Sequence, residues 1–189
     1  MDLKTTPLPD LYILTQSVFD DARGFLRVVF REDEMIKLGL PFRVVQVNHS
    51  RSRRGVVRGL HFQHSPPLGK IIRVIRGTAF MVFVDLRKRS PGFGKFFTVE
   101  LTDDRAEAVS APAGFAAGFC ALSEWVDVEY LYNAPYAPAG ESNIAWNDPE
   151  LNIPWTLNES ALIASGRDAA AQTFSEWTKK PESDLWPDV

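Results

Sequence analysis

Over most of the chain, hydrophobic and polar positions follow the patterns of β-strands. Residues 126–132, Val-Asp-Val-Glu-Tyr-Leu-Tyr, alternate at period two, which places one set of side chains on one face of a strand. Residues 79–86 form a nearly continuous apolar run with the length of a buried strand. Residues 71–76 and 95–101 are rich in β-branched or aromatic side chains. Glycine and proline separate these runs at intervals of about 10 to 20 residues, which predicts a mostly-β sandwich or barrel.

Helical signals are few and short. Residues 32–38, Glu-Asp-Glu-Met-Ile-Lys-Leu, predict one helix that ends at Gly39, and residues 160–165 predict a second. From Ala169 onward the chain is polar and contains proline, so we expect a tail that lies over the domain or over a partner subunit. Because no repeat, linker or low-complexity segment interrupts the 189 residues, they predict one domain over 1–189.

Composition and charge narrow the possible functions. The formal net charge is −3 and the pI about 5.6, which argues against a general nucleic-acid-binding surface. No run approaches the roughly 18 apolar residues of a membrane span, and residues 1–5 lack the apolar segment of a signal peptide. The single cysteine, Cys120, lies in an apolar run and is expected in the core; one unpaired cysteine fits a reducing cytoplasm.

Residues that could bind and deprotonate an anion are concentrated between positions 51 and 70. His61 is one of three histidines, and imidazole is the side chain best suited to proton transfer near neutral pH. Four arginines lie between residues 51 and 58, and Lys70 follows Gly69. Arg58 and His61 would point to opposite faces of a regular strand, but a kink at Gly59 would bring both into one cavity. The cluster predicts proton transfer on a small anionic molecule, whereas a lone histidine is more often an ordinary core or surface residue.

A metal centre is the rival explanation for histidines in a small β-barrel. Metal-binding cupins carry a His-x-His pair, a following glutamate and a later histidine. Here His61 and His64 have the wrong spacing, His64 is expected in a surface loop, and no histidine follows it. We therefore expect no metal. The chain also lacks a Gly-x-Gly-x-x-Gly or phosphate-loop motif, so we expect no nicotinamide, flavin or ATP cofactor.

Several blocks of sequence together carry a resemblance to a known family. They are Gln-Val-Asn-His-Ser at 46–50, Arg-Gly-Val-Val-Arg-Gly-Leu-His-Phe-Gln at 54–63, Gly-Lys at 69–70, Arg-Val-Ile-Arg-Gly at 73–77, Val-Asp-Leu-Arg at 84–87, Pro-Ala-Gly-Phe-Ala at 112–116 and Trp-Asn-Asp-Pro at 146–149. In order and approximate spacing, over about residues 20–168, the chain resembles the dTDP-4-dehydrorhamnose 3,5-epimerases. The resemblance implies a cofactor-free jelly-roll cupin that is usually a homodimer with exchanged strands. It also implies action on a nucleotide-linked 4-keto-6-deoxyhexose.

The resemblance assigns catalytic roles to four residues. His61 matches the base that removes a proton beside the C4 ketone, and Asp168 matches the aspartate that pairs with it. Tyr130 matches the proton donor on the opposite face of the sugar, and Lys70 the lysine that stabilises the enolate oxygen. On sequence alone, Tyr130 would be an ordinary strand aromatic and Asp168 a surface acid.

Further positions match the family's substrate-binding residues. Arg23 and Arg58 match arginines that bind the diphosphate, for which a guanidinium is well suited. Tyr136 matches an aromatic residue that stacks on the base. The other expected substrate-binding residues are Gln46, Asn48, Glu141 and Arg167.

The chain also departs from the family's usual pattern. Ala117 replaces a histidine, Val28 a glutamate near the nucleobase, Val47 and Met81 two aspartates, and Leu131 a lysine. The departures leave open which nucleotide is used and whether C3, C5 or both are inverted. A mono-epimerase acting on a nucleotide other than dTDP and a non-catalytic sugar-nucleotide-binding cupin remain the main alternatives. A ketoisomerase and a metal-dependent oxygenase fit the residues less well.

Overall fold

The computed structural model describes residues 1–186 and consists mainly of antiparallel β-strands. The strands are β1 (Asp2–Thr5), β2 (Tyr12–Thr15), β3 (Val18–Asp21), β4 (Gly24–Arg27), β5 (Gln46–Arg53), β6 (Val57–Gln63), β7 (Lys70–Arg76), β8 (Thr78–Asp85), β9 (Phe96–Thr102), β10 (Glu107–Ala111), β11 (Phe115–Ala121), β12 (Trp125–Tyr132) and β13 (Glu141–Asn143). The α-helices are α1 (Glu32–Lys37), α2 (Gly166–Ala169) and α3 (Phe174–Thr178). No helix within residues 1–186 is long and apolar enough to cross a membrane.

Two sheets form the body of the fold. One has six strands in the order β1-β2-β10-β7-β12-β5, and the other has five in the order β13-β6-β11-β8-β9. Strands β3 and β4 form a separate hairpin. Apart from the pairs β1-β2 and β8-β9, neighbours in the two sheets are not consecutive in the chain, as in a jelly roll, where connections pass between two facing sheets. The mostly-β jelly-roll prediction is confirmed.

Side-chain alternation divides the apolar residues into three layers. The inner layer lies between the sheets and includes Ile72, Phe83 and Val128. On the outer face of the six-stranded sheet, Ile71 and Leu131 pack with Met35 of α1. On the outer face of the five-stranded sheet, buried residues of the sheet pack with residues from 144 onward: Leu60, Phe62, Val82, Val84, Leu86 and Ala116 with Ile144, Leu151, Ile153, Phe174 and Trp177. The chain after residue 144 is therefore the cover of the five-stranded sheet.

The strands predicted from periodicity agree closely with the observed ones. The runs at 71–76, 79–86, 95–101 and 126–132 correspond to β7, β8, β9 and β12, with ends that differ by one residue. The helix predicted at 32–38 is α1, and Gly39 follows its end with φ of 77°. Cys120 is fully buried in the core, as expected.

The helix predicted at residues 160–165 is wrong. Only a single 3₁₀ turn forms there, at Glu159–Ala161. Ile163 instead bridges to Val56: its N–H donates to Gly55 O at 2.8 Å, and its carbonyl accepts from Val57 N at 2.9 Å. Because this pairing with the start of β6 uses the backbone N–H and carbonyl of Ile163, these groups do not form helical hydrogen bonds.

The C-terminal tail is more structured than the sequence suggested. It contains α3, which begins with a capping box between Thr173 and Glu176 and buries Phe174 and Trp177. The Trp177 ring contacts Phe62 of β6, with ring centroids 4.5 Å apart. Up to residue 186 this segment lies over the chain's own five-stranded sheet, and residues 187–189 lie outside the described part.

Candidate active site

A cavity of about 430 Å³ opens between the two sheets. Its volume lies in the range of small-molecule sites. The residues that line it come from strands of both sheets and from β13: Val47, Asn48, His49, Ser50, Arg58, His61, Lys70, Ile72, Met81, Ala117, Gly118, Phe119, Tyr130, Tyr132 and Glu141. Six of the eleven sequence-predicted site residues line this cavity, and four more form a hydrogen bond or an ion pair with a residue that lines it. Arg23 is the exception.

A bulge in β6 turns Arg58 and His61 toward the same cavity. In the pairing with β11, Ala117 lies opposite His61 and Phe119 opposite Arg58, so three steps on β6 match two on β11. Gly59 has φ of 128°, and a Cβ atom there would lie 2.6 Å from Gly118 Cα. Only glycine fits this position. The structure thus agrees with the expectation that Gly59 allows both side chains to reach one cavity.

His61 is paired with Asp168, which α2 carries to it. The His61 Nε2 and Asp168 Oδ1 atoms lie 2.6 Å apart, and Asp168 is 3% exposed. Ser165 caps α2 and accepts a hydrogen bond from Asp168 N at 3.1 Å. Burial raises the pKa of Asp168, but hydrogen bonds from His61 and other groups outweigh it and hold that pKa below its ordinary value. The ionised carboxylate selects the tautomer in which Nε2 carries the hydrogen, which leaves Nδ1 free to accept a proton.

Tyr130 enters the cavity from the opposite sheet. It lies on β12, packs against the inner core layer, and its hydroxyl is 3.4 Å from Ser50 Oγ. Burial raises the pKa of its phenol well above the ordinary value. The side chain is therefore a neutral O–H donor at physiological pH.

Lys70 is a nearly buried cation beside the histidine. Its side chain is 7% exposed, and Nζ donates to the His61 carbonyl oxygen at 2.8 Å. Burial lowers the pKa of Lys70 to about 8, and the negative charge of Glu141 opposes that shift. The ammonium group is thus present near neutral pH, without a side-chain counter-ion in direct contact among the described residues.

Arg58 is oriented by strand β5. Its Nε donates to Ser52 Oγ at 2.9 Å, and its Nη2 donates to the Arg51 carbonyl oxygen at 3.3 Å. Both partners are neutral oxygens. The positive charge of Arg58 therefore remains available to an anionic ligand in the cavity.

A hydrogen-bonded chain of residues forms the cavity mouth. Gln46 Nε2 donates to Asn48 Oδ1 at 2.8 Å, and Gln46 Oε1 accepts from Tyr136 N at 3.0 Å. Glu141 Oε2 accepts from Tyr136 OH at 2.7 Å and forms an ion pair with Arg167 at 2.7 Å. The five expected substrate-binding residues of this group therefore lie together, with the Tyr136 ring 43% exposed.

Arg23 stands apart from these residues. It lies in the turn between β3 and β4, its side chain is 89% exposed, and it forms an ion pair with Asp21 of the same hairpin. It does not line the cavity of its own chain. The expected diphosphate contact of Arg23 is therefore not formed within one subunit.

A second cavity of about 430 Å³ lies elsewhere and has paired charges. Arg87 bonds Asp85 and Asp10, each at 2.8 Å, and Lys88 bonds Asp184 at 2.7 Å. Because these charges neutralise one another, the cavity around His61 is the candidate active site. Within residues 1–186, no three His, Cys, Asp or Glu side chains lie close enough to hold a metal ion.

Comparison with known proteins shows the family of the chain. The family model for dTDP-4-dehydrorhamnose 3,5-epimerase matches residues 5–176. The chain belongs to the dTDP-4-dehydrorhamnose 3,5-epimerase family. A curated relative of that name from Methanothermobacter thermautotrophicus is 43% identical over 164 residues, which cover 86% of this chain and 89% of the relative. Another, from Neisseria gonorrhoeae, is 39% identical over 194 residues; the match covers 100% of this chain and 58% of that longer protein.

A solved structure extends the likeness to three dimensions. It is the dTDP-6-deoxy-D-glucose-3,5-epimerase from Legionella pneumophila in complex with dTDP-4-keto-L-rhamnose. It is 37% identical to this chain, has a TM-score of 0.88, and the match covers 92% of this chain and 93% of that one. This epimerase family therefore shares the fold as well as the sequence blocks.

The five residues that we expect to differ from the family's usual pattern lie in different surroundings. Ala117 and Met81 lie on the cavity floor and are 7% and 1% exposed. Val47 lines the cavity and is 55% exposed. Leu131 points to the outer apolar layer, and Val28 follows β4 outside the cavity. Only the first three can contact a ligand in this cavity within one chain.

Sequence reasoning missed three polar residues of the site. Ser50 contacts Tyr130, Ser52 holds Arg58, and Tyr132 lines the cavity. The two serines follow Gln46 and Asn48 at period two on β5, so that spacing was the available signal. His64 was expected on the surface, but it is half-buried, with its ring 5.6 Å from that of Trp177.

Proposed function

We propose that the protein is a cofactor-independent isomerase that inverts C3, C5 or both in a nucleotide-linked 4-keto-6-deoxyhexose, as part of deoxysugar biosynthesis. The observation that carries the proposal is the arrangement of His61 and Tyr130. These two residues reach one cavity from opposite sheets, and Asp168 lies 2.6 Å from the histidine. Inversion of a carbon needs a base on one face and an acid on the other, which this geometry supplies.

The proposed reaction uses side chains of the chain itself. His61 Nδ1 removes the proton from a carbon beside the C4 ketone, and the C–H electron pair forms an enolate with negative charge on the C4 oxygen. The ammonium of Lys70 stabilises that oxygen; one such contact is worth on the order of 3 kcal/mol. Tyr130 then donates its phenolic proton to the other face of the carbon, and the ketone is restored with inverted configuration. Asp168 stabilises the imidazolium while it exists.

The nucleotide would bind from the mouth inward. Arg58 is the proposed diphosphate ligand, since its guanidinium contacts only neutral oxygens. The exposed ring of Tyr136 is the proposed platform for the base. Gln46, Asn48, Glu141 and Arg167 complete the proposed binding set. The relatives' names and the ligand of the Legionella structure make dTDP the first nucleotide to test.

We further propose that the enzyme is a homodimer whose β3–β4 hairpin contacts the second copy. Phe19, Phe25 and Leu26 of this hairpin are 61%, 62% and 67% exposed, an unusual share of apolar surface for one hairpin. In such a dimer, Arg23 would serve the cavity of the other subunit. The remaining proposals from sequence are a single domain over residues 1–189 and a cytoplasmic location, which the unpaired Cys120 supports.

The deciding experiment follows the reaction by NMR in deuterated water. The purified protein is incubated with dTDP-, CDP-, UDP- and GDP-linked 4-keto-6-deoxyglucose, and deuterium is located at C3 and C5. We expect incorporation with inversion for at least one nucleotide, no incorporation for His61→Ala, and slower incorporation for Lys70→Ala. Absence of exchange with all four substrates would refute the proposal, and unchanged exchange in His61→Ala would refute the assigned base.

Inversion of a single carbon is a second candidate, because the floor of the cavity is apolar. Ala117, directly opposite His61 in the strand pairing, and Met81 offer no second titratable group. If His61 alone removes a proton efficiently from only one of the two carbons, deuterium should enter that carbon much faster than the other. Ala117→His should then raise incorporation at the slower carbon, whereas Ala117→Leu, which fills the space without a base, should not. Equal incorporation rates at C3 and C5 in the natural enzyme would reject this candidate.

A further inference from the structure

Ser50 and Tyr130 bring two hydroxyl groups together inside the cavity. The Ser50 Oγ and Tyr130 OH atoms lie 3.4 Å apart. Within residues 1–186, Ser50 is the only side chain that hydrogen-bonds this phenol. Ser50 is therefore the side chain placed to exchange a proton directly with this phenol, whereas Arg58 and Tyr132 act on it through their charge.

The strand pairing of β5 and β12 fixes this contact. Ser50 pairs with Val128, and Asn48 pairs with Tyr130, so Ser50 and Tyr130 are diagonal neighbours on one face of the sheet. β5 is the edge strand of its sheet, and Ser50 is half-buried and lines the cavity. Its hydroxyl can therefore contact the phenol on one side and cavity water on the other.

The four proposed catalytic residues do not by themselves restore the starting protonation states of His61 and Tyr130. Each inversion moves one proton onto His61 and one proton off Tyr130, so both groups must be reset before the next inversion. A phenolate is costly in this position because Tyr130 packs against the inner core layer, where burial disfavours the charged form. A hydroxyl in contact with the phenol can donate to the phenolate and accept from the phenol, which carboxylate and ammonium groups cannot both do.

We propose that Ser50 is a positioning residue that stabilises the Tyr130 phenolate and returns its proton from cavity water. The proposal rests on the proposed epimerase function. In the reset step, the Ser50 hydroxyl proton moves to the Tyr130 oxygen while a water molecule gives a proton to Ser50 Oγ. The hydroxide that remains is neutralised by the proton that imidazolium His61 releases, so the cycle leaves no net change.

The test separates proton removal from inversion. In deuterated water, His61 can remove a substrate proton, exchange it for a deuteron from the solvent, and return that deuteron to the same face, which gives exchange without inversion. If Tyr130 donates poorly, the enolate returns more often by this route. We therefore expect Ser50→Ala to reduce inversion about tenfold or more, while total proton loss from the substrate stays within about threefold of the natural enzyme. Ser50→Thr, which keeps a hydroxyl, should restore most of the inversion.

Controls distinguish this role from a structural one. Ser160→Ala is the matched control, since Ser160 is exposed and does not line the cavity. Proportional loss of exchange and inversion in Ser50→Ala, or no loss of either, would overturn the role of Ser50 alone. An inactive natural enzyme would overturn the epimerase function and this role with it. If thermal melting shows that Ser50→Ala does not fold, Ser50→Cys repeats the test with a weaker hydrogen-bonding group of similar size.

Discussion

Asp168 Oδ1 lies 2.6 Å from His61 Nε2, although 107 residues separate the two in the chain. His61 belongs to β6, and Asp168 belongs to α2, whose neighbouring segment covers the outer face of the five-stranded sheet. The pairing of the proposed catalytic base therefore depends on the correct docking of the C-terminal part.

The first prediction concerns the charge of Asp168. Asp168→Asn preserves the size of the side chain but removes the carboxylate that selects the His61 tautomer and stabilises its protonated form. We expect kcat to fall about 10²- to 10⁴-fold with little change in KM, measured as inversion of the sugar. Asp184→Asn, an exposed aspartate, is the control. Retention of more than about a third of kcat in Asp168→Asn would contradict the pairing's role.

The second prediction uses the pKa of Lys70, which burial lowers from 10.5 to about 8. The ammonium form stabilises the enolate, so kcat/KM should fall as the pH rises through about 8 and Lys70 loses its proton. Lys70→Met should be much slower and should lose this alkaline decrease. If Lys70→Met shows the same decrease in kcat/KM at alkaline pH, that decrease arises from another group.

Loss of the Lys70 proton should lower kcat/KM as the pH rises, but it should raise the stability of the folded protein. Between pH 8 and 10.5, the unfolded chain keeps the Lys70 proton that the folded chain has lost. The contribution of Lys70 to the free energy of unfolding therefore rises with pH in this window. Subtracting the Lys70→Met curve from that of the natural protein, by denaturant unfolding, isolates this contribution. A difference that falls with pH would contradict the shift.

A third prediction tests whether Arg23 acts across the dimer. Arg23→Ala should bind substrate weakly, and His61→Ala should be inactive. If Arg23 serves the partner's cavity, a mixed dimer of these two variants contains one complete site. Equal mixing with subunit exchange should then restore about a quarter of the natural activity, because half of the dimers are mixed and each has one working site. Mixing without recovery, despite exchange shown by mass, would place Arg23 outside the partner's site.

The fourth prediction links packing to catalysis through Trp177. Its side chain is 1% exposed and contacts Phe62, so Trp177→Ala should lower the free energy of unfolding by about 3–5 kcal/mol. Because α3 follows α2 closely, activity should be lost at a lower denaturant concentration than the β signal in circular dichroism. Leu185→Ala, a residue 63% exposed in the same segment, should change stability by less than about 0.5 kcal/mol. Coincident loss of activity and β signal would show that the segment does not undock separately.

Strands with a strong apolar or alternating pattern were easier to predict from the sequence than strands with a polar one. β8 and β12 have strong apolar patterns because both lie within their sheets. β5 reads Gln-Val-Asn-His-Ser-Arg-Ser-Arg because one face lines the cavity and the strand is an edge, so its polar pattern concealed it. The helix predicted at 160–165 failed since Ile163 pairs with the start of β6, a contact that local pattern does not record.

In the candidate site, residues that are close in the sequence could be predicted from it, whereas residues that only the fold brings together could not. Arg58, His61 and Lys70 stand close together in the sequence, and their composition alone predicted an anion site with a base. Asp168 and Tyr130 were expected only from the family resemblance, because their neighbours in the chain carry no sign of their role. Ser50 needed the strand register, which shows it diagonal to Tyr130.

Because α2 carries Asp168, the order in which the chain is synthesised decides when the His61–Asp168 pair can form. During translation, both sheets are complete once residue 143 has left the ribosome, but the histidine still lacks its carboxylate. The His61–Asp168 pair can therefore form only after residues 165–168 have emerged and docked. A chain that ends before residue 165 would include the strands that line the cavity but not the carboxylate that pairs with His61.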